Sequence, residues 1–513
     1  MYYEQLTSGV NIFLYPIRPS HSIAISLYTR YGSAFEERQS IGITHLLEHM
    51  FFRRLGKMTQ GELYQSMEEI GGTLNAVTYK SMIRFSMKVR PQYLEKCLQF
   101  FKEIVVCDGW SQSELESERK IVLNELNEKN SYMDIDRIFD EFSFKGSPIA
   151  YPTIGTVESI MNITIEDINA LKKTLFSVGD VNLVVAGKVE DESKDIIIDT
   201  FKNVNLDSHP KIEIPKPLHM YKRKPDIKLI DTSWEFVDIK IGFDVNLEDN
   251  IREYEVKFLN SILGGGIGSI LQREIREKLG LSSNIYSEFV ILDNLVQLRI
   301  NFSVDKADIY RSISAVITII NNMKQGIEKR FYDSNIIFFT DNLWFNLENP
   351  EWINEDICWH NTLYSDNTYS LKNKIKNYSE ITLQSLVELS KKIFEPNNTT
   401  IVIMGNTKKI TIKEIKNIVN KNDIIKQIEV KNASKETKNL DLLIKDSIPA
   451  LIKNSDSNEQ FNPEITLNDK ISAPIDENEV LGKVKYEING IEYTSDLIAS
   501  HNVEKSKLLN YIF

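Results

Sequence analysis

The chain has 513 residues, 42% of them hydrophobic and 26% charged, and a net charge of −12. That length implies two to four domains, and the balance is that of a soluble globular protein with ample material for apolar cores. The negative charge leaves no basic face and argues against nucleic acid or an anionic membrane as the main partner.

The chain begins MYYEQLTSGVNIFLYPIRPSHSIAISLYTRYG, with no basic segment followed by an apolar run. No secretory leader is therefore expected, and no window reaches the length of a transmembrane span. The three cysteines, Cys97, Cys107 and Cys358, are few and odd in number, a pattern of reduced thiols rather than a disulfide framework. Together these features make the cytoplasm the expected compartment. The opening stretch alternates instead, and Val10–Tyr15 with Ser22–Tyr31 reads as a hairpin about Pro-containing turns.

Residues 45–49 read His45-Leu46-Leu47-Glu48-His49. On a helix, positions i, i+3 and i+4 project from one face, so both imidazoles and the carboxylate enter one small volume. Two neutral imidazoles at this spacing suit zinc, and a carboxylate beside them can take a proton from zinc-bound water. The order His-x-x-Glu-His inverts the commoner His-Glu-x-x-His and is the inverzincin signature. The alternative is two surface histidines beside a glutamate on an ordinary amphipathic helix. The chain holds only seven histidines, which makes that coincidence the weaker explanation.

Residues 71–78, Gly-Gly-Thr-Leu-Asn-Ala-Val-Thr, read on their own as a turn leading into a strand. Ser111–Asn130 is an acidic segment with helical spacing, and Glu118 and Glu125 lie two turns apart on one face of it. By itself such a run is a solvated face. Glu125 also lies 76 positions after His49, within Glu118-Arg119-x-x-Val122-x-x-Glu125. This combination resembles the pitrilysin/insulinase family of zinc peptidases.

The resemblance implies that His45, His49 and Glu125 hold one zinc ion per chain, with Glu48 as the catalytic base. It makes Glu118 a further carboxylate of the catalytic machinery that supports the site from behind the ligands. The Gly-Gly segment is similar to the family's Gly-Gly-x-x-Asn-Ala-x-Thr, which leads into an edge strand beside the metal. Asn75, with Ala76 beside it, is thus expected to contact substrate backbone. Pro152–Ile160, PTIGTVESI, also resembles the segment that follows the third-ligand helix.

The chain repeats itself. Thr164 to Thr382, Phe176 to Phe394 and Gly187 to Gly405 are each separated by 218 positions, within Thr-capped helices followed by buried strands. The period is too long for a solenoid and fits a duplicated domain. Adding it to the zinc motif lands on Leu263–Ile267, Leu-Gly-Gly-Gly-Ile, so the second half keeps the fold and replaces the motif with a glycine-rich loop. That loop, 264–269, lacks both the Gly-Lys-[Ser/Thr] ending of a P-loop and the spacing of a dinucleotide fold.

The next segment, LQREIREKLGLSSNIYSEF, resembles the family's Arg-Glu-Lys-x-Gly-Leu-x-Tyr, whose Arg and Tyr bind substrate. Arg276 matches the Arg. Ser283 stands where the Tyr should be, and Tyr286 is the nearest tyrosine. Either Tyr286 substitutes for it, or a related partner chain supplies the pair, as in two-chain members of the family.

Residues 423–470 are rich in Lys, Asn, Asp, Glu and Ser and read as a linker running into a short-stranded module. Beyond Ile471, Val484–Ile488 alternates, Asn489-Gly490 is a hairpin turn signal, and Ile491–Thr494 returns. With Ala473, Pro474, Gly482 and Gly490, this end resembles the small β-domain that closes D-Ala-D-Ala carboxypeptidases.

The expected protein is α+β. A catalytic domain over 1–210 and a homologous domain without zinc over 211–422 are both α/β sandwiches, followed by the linker and a small all-β domain over 471–513. The expected function is zinc-dependent endopeptidase action on short or unfolded peptides, leader or presequence processing being one use, by a homodimer or a heterodimer with a related chain. The alternative is a non-catalytic scaffold subunit of a two-chain peptidase.

Overall fold

In this computed structural model the described residues are 1–131, 134–176, 181–206, 226–246, 251–292, 295–364, 369–408, 410, 412–453, 461–488 and 491–506. The first half begins with β1 (Tyr2–Gln5), β2 (Asn11–Pro16), β3 (Ile23–Thr29) and α1 (Ile43–Arg53). A two-rung pair, β4 (Arg54–Leu55) and β5 (Met58–Thr59), precedes α2 (Gln60–Glu68), β6 (Asn75–Thr78) and β7 (Ile83–Val89). Five helices follow: α3 (Leu94–Val106), α4 (Gln112–Ser131), α5 (Ile135–Ser143), α6 (Val157–Asn162) and α7 (Ile165–Leu175). The half ends with β8 (Val181–Gly187) and α8 (Asp191–Phe201).

The second half opens with β9 (Asp226–Asp231), β10 (Phe236–Asn246), α9 (Glu253–Asn260), β11 (Ile285–Leu292) and β12 (Leu295–Asp305). It continues through α10 (Ile309–Gln325), α11 (Lys329–Asn346), α12 (Pro350–Tyr364), α13 (Leu371–Ser379), α14 (Leu383–Ile393) and β13 (Thr399–Gly405). The expected boundary at 210/211 lies outside the described residues.

The two sheets have one topology. The first runs β1-β2-β8-β3-β7-β6 and the second β9-β13-β10-β12-β11 in corresponding order, with β1 added at one edge of the first. In each, one parallel pair (β2 with β8, β9 with β13) sits among antiparallel neighbours. The helices keep the same register. Thr164 and Thr382 each cap a helix through a reciprocal capping box, and Phe176 and Phe394 end those helices.

The hairpin expected between Val10–Tyr15 and Ser22–Tyr31 does not form. β8 lies between β2 and β3 and pairs with both. All seven residues of β8 are buried, and a strand apolar on both faces belongs in the middle of a covered sheet.

One face of the first sheet packs on a core that includes Leu46, Met50, Leu98, Phe101 and Leu171 from α1, α3 and α7. The other face is covered by a helix from the second half. Asn354 on α12 donates to the carbonyls of Ala24 and Val184 at 3.0 and 2.8 Å. The exchange is reciprocal: Phe139 and Ile138 of α5 pack with Val402 and Met404 of β13. α5 plus 218 falls within α12, so each half lends the equivalent helix to the other's sheet.

The tail holds β14 (Ile412–Val419), β15 (Ile424–Glu429), β16 (Asn439–Ile444), β17 (Ile448–Lys453), β18 (Glu464–Leu467), β19 (Val480–Ile488) and β20 (Ile491–Ala499). The stretch read as a linker thus contains strands, and β15, β16 and β18 share one sheet with β19 and β20. Its short, charged strands alternate too briefly to stand out from loop composition. β19 pairs with β20 as expected, Ile488 opposite Ile491, while the turn Asn489-Gly490 lies outside the described residues. One apolar cluster runs from the second half into Leu440, Leu442 and Leu497, so this β-module docks on the body. Cys97, Cys107 and Cys358 are buried and unpaired. No helix among the described residues is long and apolar enough to cross a membrane.

Candidate metal centre

The helix that carries His45, Glu48 and His49 is fixed at its start by contacts the motif itself does not contain. α1 begins at Gly42, whose φ of 90° and contact with Gly155 leave no room for a side chain: a Cβ there would lie 2.6 Å from the Gly155 Cα. No side chain at the cap position serves the first turn. The buried carboxylate of Glu36 does so, accepting from the Gly42 and Thr44 amides at 2.7 and 2.9 Å. Ser159 donates to the Ile41 carbonyl at 2.6 Å. The segment 152–160 therefore acts as a buttress for α1. Burial pushes the Glu36 carboxyl up to about 7, against the amides that stabilise its charge.

α4 lies beside α1 and supplies the third donor. The Nε2 atoms of His45 and His49 lie 3.4 and 3.7 Å from Glu125 Oε2, and one ligand atom from each residue falls within 4.8 Å of the others. Tetrahedral zinc with bonds of ~2.1 Å sets its donors about 3.4 Å apart. Two imidazoles and one carboxylate at this separation fit that ion with a fourth position left over.

Glu118 does not point between these donors. It is buried, with Oε2 3.5 Å from His49 Nδ1 and Oε1 3.8 Å from Arg53 Nε. It faces the ring nitrogen that a metal would not use, and there it can fix the tautomer that presents Nε2. α4 is itself tied down by the next residue, Arg119, which donates to the Ile160 and Ile163 carbonyls across to α6.

Glu48 is on the same face of α1 and accepts from the Thr78 hydroxyl of β6. Burial raises its pKa, the Thr78 hydrogen bond and nearby His49 lower it, and Glu125 raises it. β6 is the last strand of its sheet and pairs only with β7 among the described residues, so its outer edge faces away from any strand. The pleat sets Ala76 and Thr78 on the α1 side, while the exposed Asn75 bonds back to the Thr73 carbonyl at 3.4 Å.

The structure does not bring Arg276 or Tyr286 into a described contact with these groups. Arg276 is exposed on a helical turn over Gln272–Lys278, and Ser283 is exposed just before β11. Tyr286 is 40% exposed on β11, where burial and then the charges of Glu288 and Asp136 raise the pKa of its phenol. At the position matching α1, Gly264 presses on β11: a Cβ there would lie 2.6 Å from the Ser287 amide.

Sequence reasoning passed over Glu36, Thr78 and Arg119 as functional supports. Thr78 ends the Gly-Gly segment and Arg119 follows Glu118, so position within a motif was a signal for both. Glu36 gave none.

Residues 13–156 match the family described as Insulinase (Peptidase family M16), and residues 162–331 the Peptidase M16 inactive domain. Residues 414–505 match the Penicillin-binding protein 5, C-terminal domain. A protein of Rickettsia felis named an uncharacterized zinc protease is 28% identical over 286 residues, 54% of this chain and 67% of that one. The uncharacterized zinc protease YmxG of Bacillus subtilis is 25% identical over 285 residues, 55% and 68% of the two chains. A protease from Helicobacter pylori shares the fold, with a TM-score of 0.72 at 20% identity over 79% of this chain and 99% of that one.

Proposed function

Because this chain belongs to the insulinase (M16) peptidase family and carries a C-terminal module like that of penicillin-binding protein 5, we propose that it is a zinc-dependent metalloendopeptidase that cleaves short or unfolded peptides. The observation that carries this reading is the convergence of His45 Nε2 and His49 Nε2 on Glu125 Oε2, at 3.4 and 3.7 Å. Zinc held there supplies Lewis acidity to the scissile carbonyl and to a water beside it.

The chain's own groups do the rest. Glu48 takes the proton of the attacking water and hands it to the leaving amine. Burial lifts its carboxyl, which favours a group that must both accept and release a proton, and the Thr78 hydroxyl keeps it ionised enough to start. The open edge of β6 offers main-chain groups to an extended peptide, with Ala76 on the side of the base and Asn75 at the strand's start. Extended chain is what a short or unfolded peptide presents. Leader or presequence processing is one use of that preference.

The test is zinc content together with chelator-sensitive cleavage of a quenched peptide library, for the wild type and Glu48→Gln. Full activity in Glu48→Gln, or a wild type without bound metal, would overturn the reading.

A second reading has a specific observation in its favour. Ser283 replaces the expected tyrosine, and Tyr286 touches none of the metal-facing residues among the described contacts. On that reading the chain works with a second chain, a copy of itself or a relative, that completes substrate binding. Ile337, Trp344 and Phe345 on α11, 60%, 59% and 76% exposed, support such a dimer. The solution mass of the complex, and activity on mixing with a relative, distinguish a self-sufficient enzyme from a scaffold subunit. The buried, unpaired cysteines support a reducing compartment such as the cytoplasm.

A further inference from the structure

The second half contains a cleft of about 1030 Å³ between α9, α11, α12 and α13, remote in sequence from the zinc motif. One wall is aromatic. Phe339 and Tyr378 stack with centroids 4.7 Å apart, Trp352 also lines the cleft, and Phe338, another lining residue, is 55% exposed. Lys257 also lines the cleft. Among the described residues its ammonium makes no hydrogen bond or ion pair, and its one described partner is the Phe289 ring, 5.5 Å away.

The acids nearby are already engaged. Asp356 accepts from Lys374 at 2.6 and 2.7 Å and from the Tyr369 hydroxyl at 2.6 Å, and Glu253 accepts from the Tyr364 hydroxyl. Burial lowers the Lys257 pKa while Glu253 and Asp356 raise it, and its ammonium, with no hydrogen bond among the described residues, reaches the solvent of the cleft, where an incoming anion can meet it. Position 39, the equivalent in the first half, is Gln39. The lysine therefore belongs to the second half alone.

We propose that this cleft binds an organic monocarboxylate with an aromatic or aliphatic body, the carboxylate on Lys257 and the body against the aromatic wall. The volume suits a small organic molecule or the end of a peptide. A phosphate is disfavoured, because Glu253 and Asp356 repel a dianion more than a single negative charge. An organic cation is disfavoured by Lys257 itself. The proposal stands apart from hydrolysis at the zinc site.

The test is calorimetric titration of the full chain, treated with chelator so that no metal captures the carboxylate. The titrants are 3-phenylpropionate, 3-phenylpropanamide, and a pentapeptide ending in Phe with a free or amidated C-terminus. The acids are expected to bind at least ~tenfold more tightly than their amides, Lys257→Met to lose that difference, and Lys257→Arg to keep it. Tighter binding by the free peptide acid identifies a peptide C-terminus as the source, and tighter binding by phenylpropionate a small free acid. Equal affinity for acid and amide, unchanged binding in a folded Lys257→Met, or no wild-type binding at millimolar titrant would overturn the proposal. Should Lys257→Met not fold, the acid–amide difference in the wild type decides.

Discussion

The hydroxyl of Thr78, on the edge strand of the first sheet, donates a hydrogen bond to Oε2 of Glu48 on the helix that carries both histidines. The edge strand proposed to align substrate and the proposed base are thereby locked together. Thr78→Val keeps the shape and removes the donor. Because this bond lowers a carboxyl that burial raises, its loss moves the Glu48 pKa further up. A base must be ionised to act, so the acid limb of the kcat/KM profile is expected to move to higher pH. The rate near neutrality should fall on the order of tenfold, with zinc content unchanged and recovery in Thr78→Ser. An unmoved acid limb would remove Thr78 from this role.

Glu48→Gln tests the base itself. The amide cannot accept the proton, so turnover is expected to fall by roughly two to four powers of ten while bound zinc stays near one per chain. Metal analysis of the purified variant beside its peptidase rate checks both halves of the expectation. Zinc lost along with activity would show that Glu48 holds the site together instead.

Glu118 and Glu125 lie on the same helix but differ in what they face. Glu125 Oε2 lies 3.4 Å from His45 Nε2, whereas Glu118 Oε2 lies 3.5 Å from the opposite nitrogen of His49. Glu125→Ala and His45→Ala are expected to abolish zinc binding, and Glu118→Gln to weaken it by roughly 10- to 100-fold. Competition against a chromogenic chelator measures each. Wild-type affinity in Glu118→Gln would mean that the buried carboxylate serves packing alone.

These residues also mark how far the sequence was legible. His45, Glu48 and His49 could be placed together because helical spacing alone fixes a shared face. The two-sheet architecture was legible through positions 218 apart, since a capping Thr, a terminating Phe and a buried strand obey local rules. Strand order is not local. β8 is separated from β2 by most of a domain in sequence yet lies between β2 and β3, and nearby alternation suggested a hairpin instead. The tail reads as linker in sequence because its strands are short and run through Lys, Asn, Asp, Glu and Ser, so their alternation is hard to tell from loop composition. Glu36 was invisible for a related reason: a carboxylate six residues before the helix start caps it only because the intervening turn folds back.

That cap makes a prediction about pH. Glu36 has a carboxyl raised to about 7 in the fold, against an ordinary 4.5. Below 4.5 both folded and unfolded chains hold the proton, and the group adds no pH dependence. Between 4.5 and 7 the unfolded chain releases it while the folded chain keeps it, so stability falls as pH rises through that window. Above 7 the whole cost of burying the charge is present, on the order of 3 kcal/mol at 1.36 kcal/mol per pH unit. Glu36→Gln lacks the titration and can still accept from the Gly42 or Thr44 amide. Urea unfolding of the chelated protein between pH 4.5 and 8 should therefore show a steeper loss of stability in the wild type than in Glu36→Gln. Chelation removes the competing pH dependence of metal binding at His45 and His49. Parallel curves for the two proteins would mean that Glu36 caps the helix as an ordinary ionised carboxylate, and that the start of α1 is wetter than the buried position of Glu36 implies.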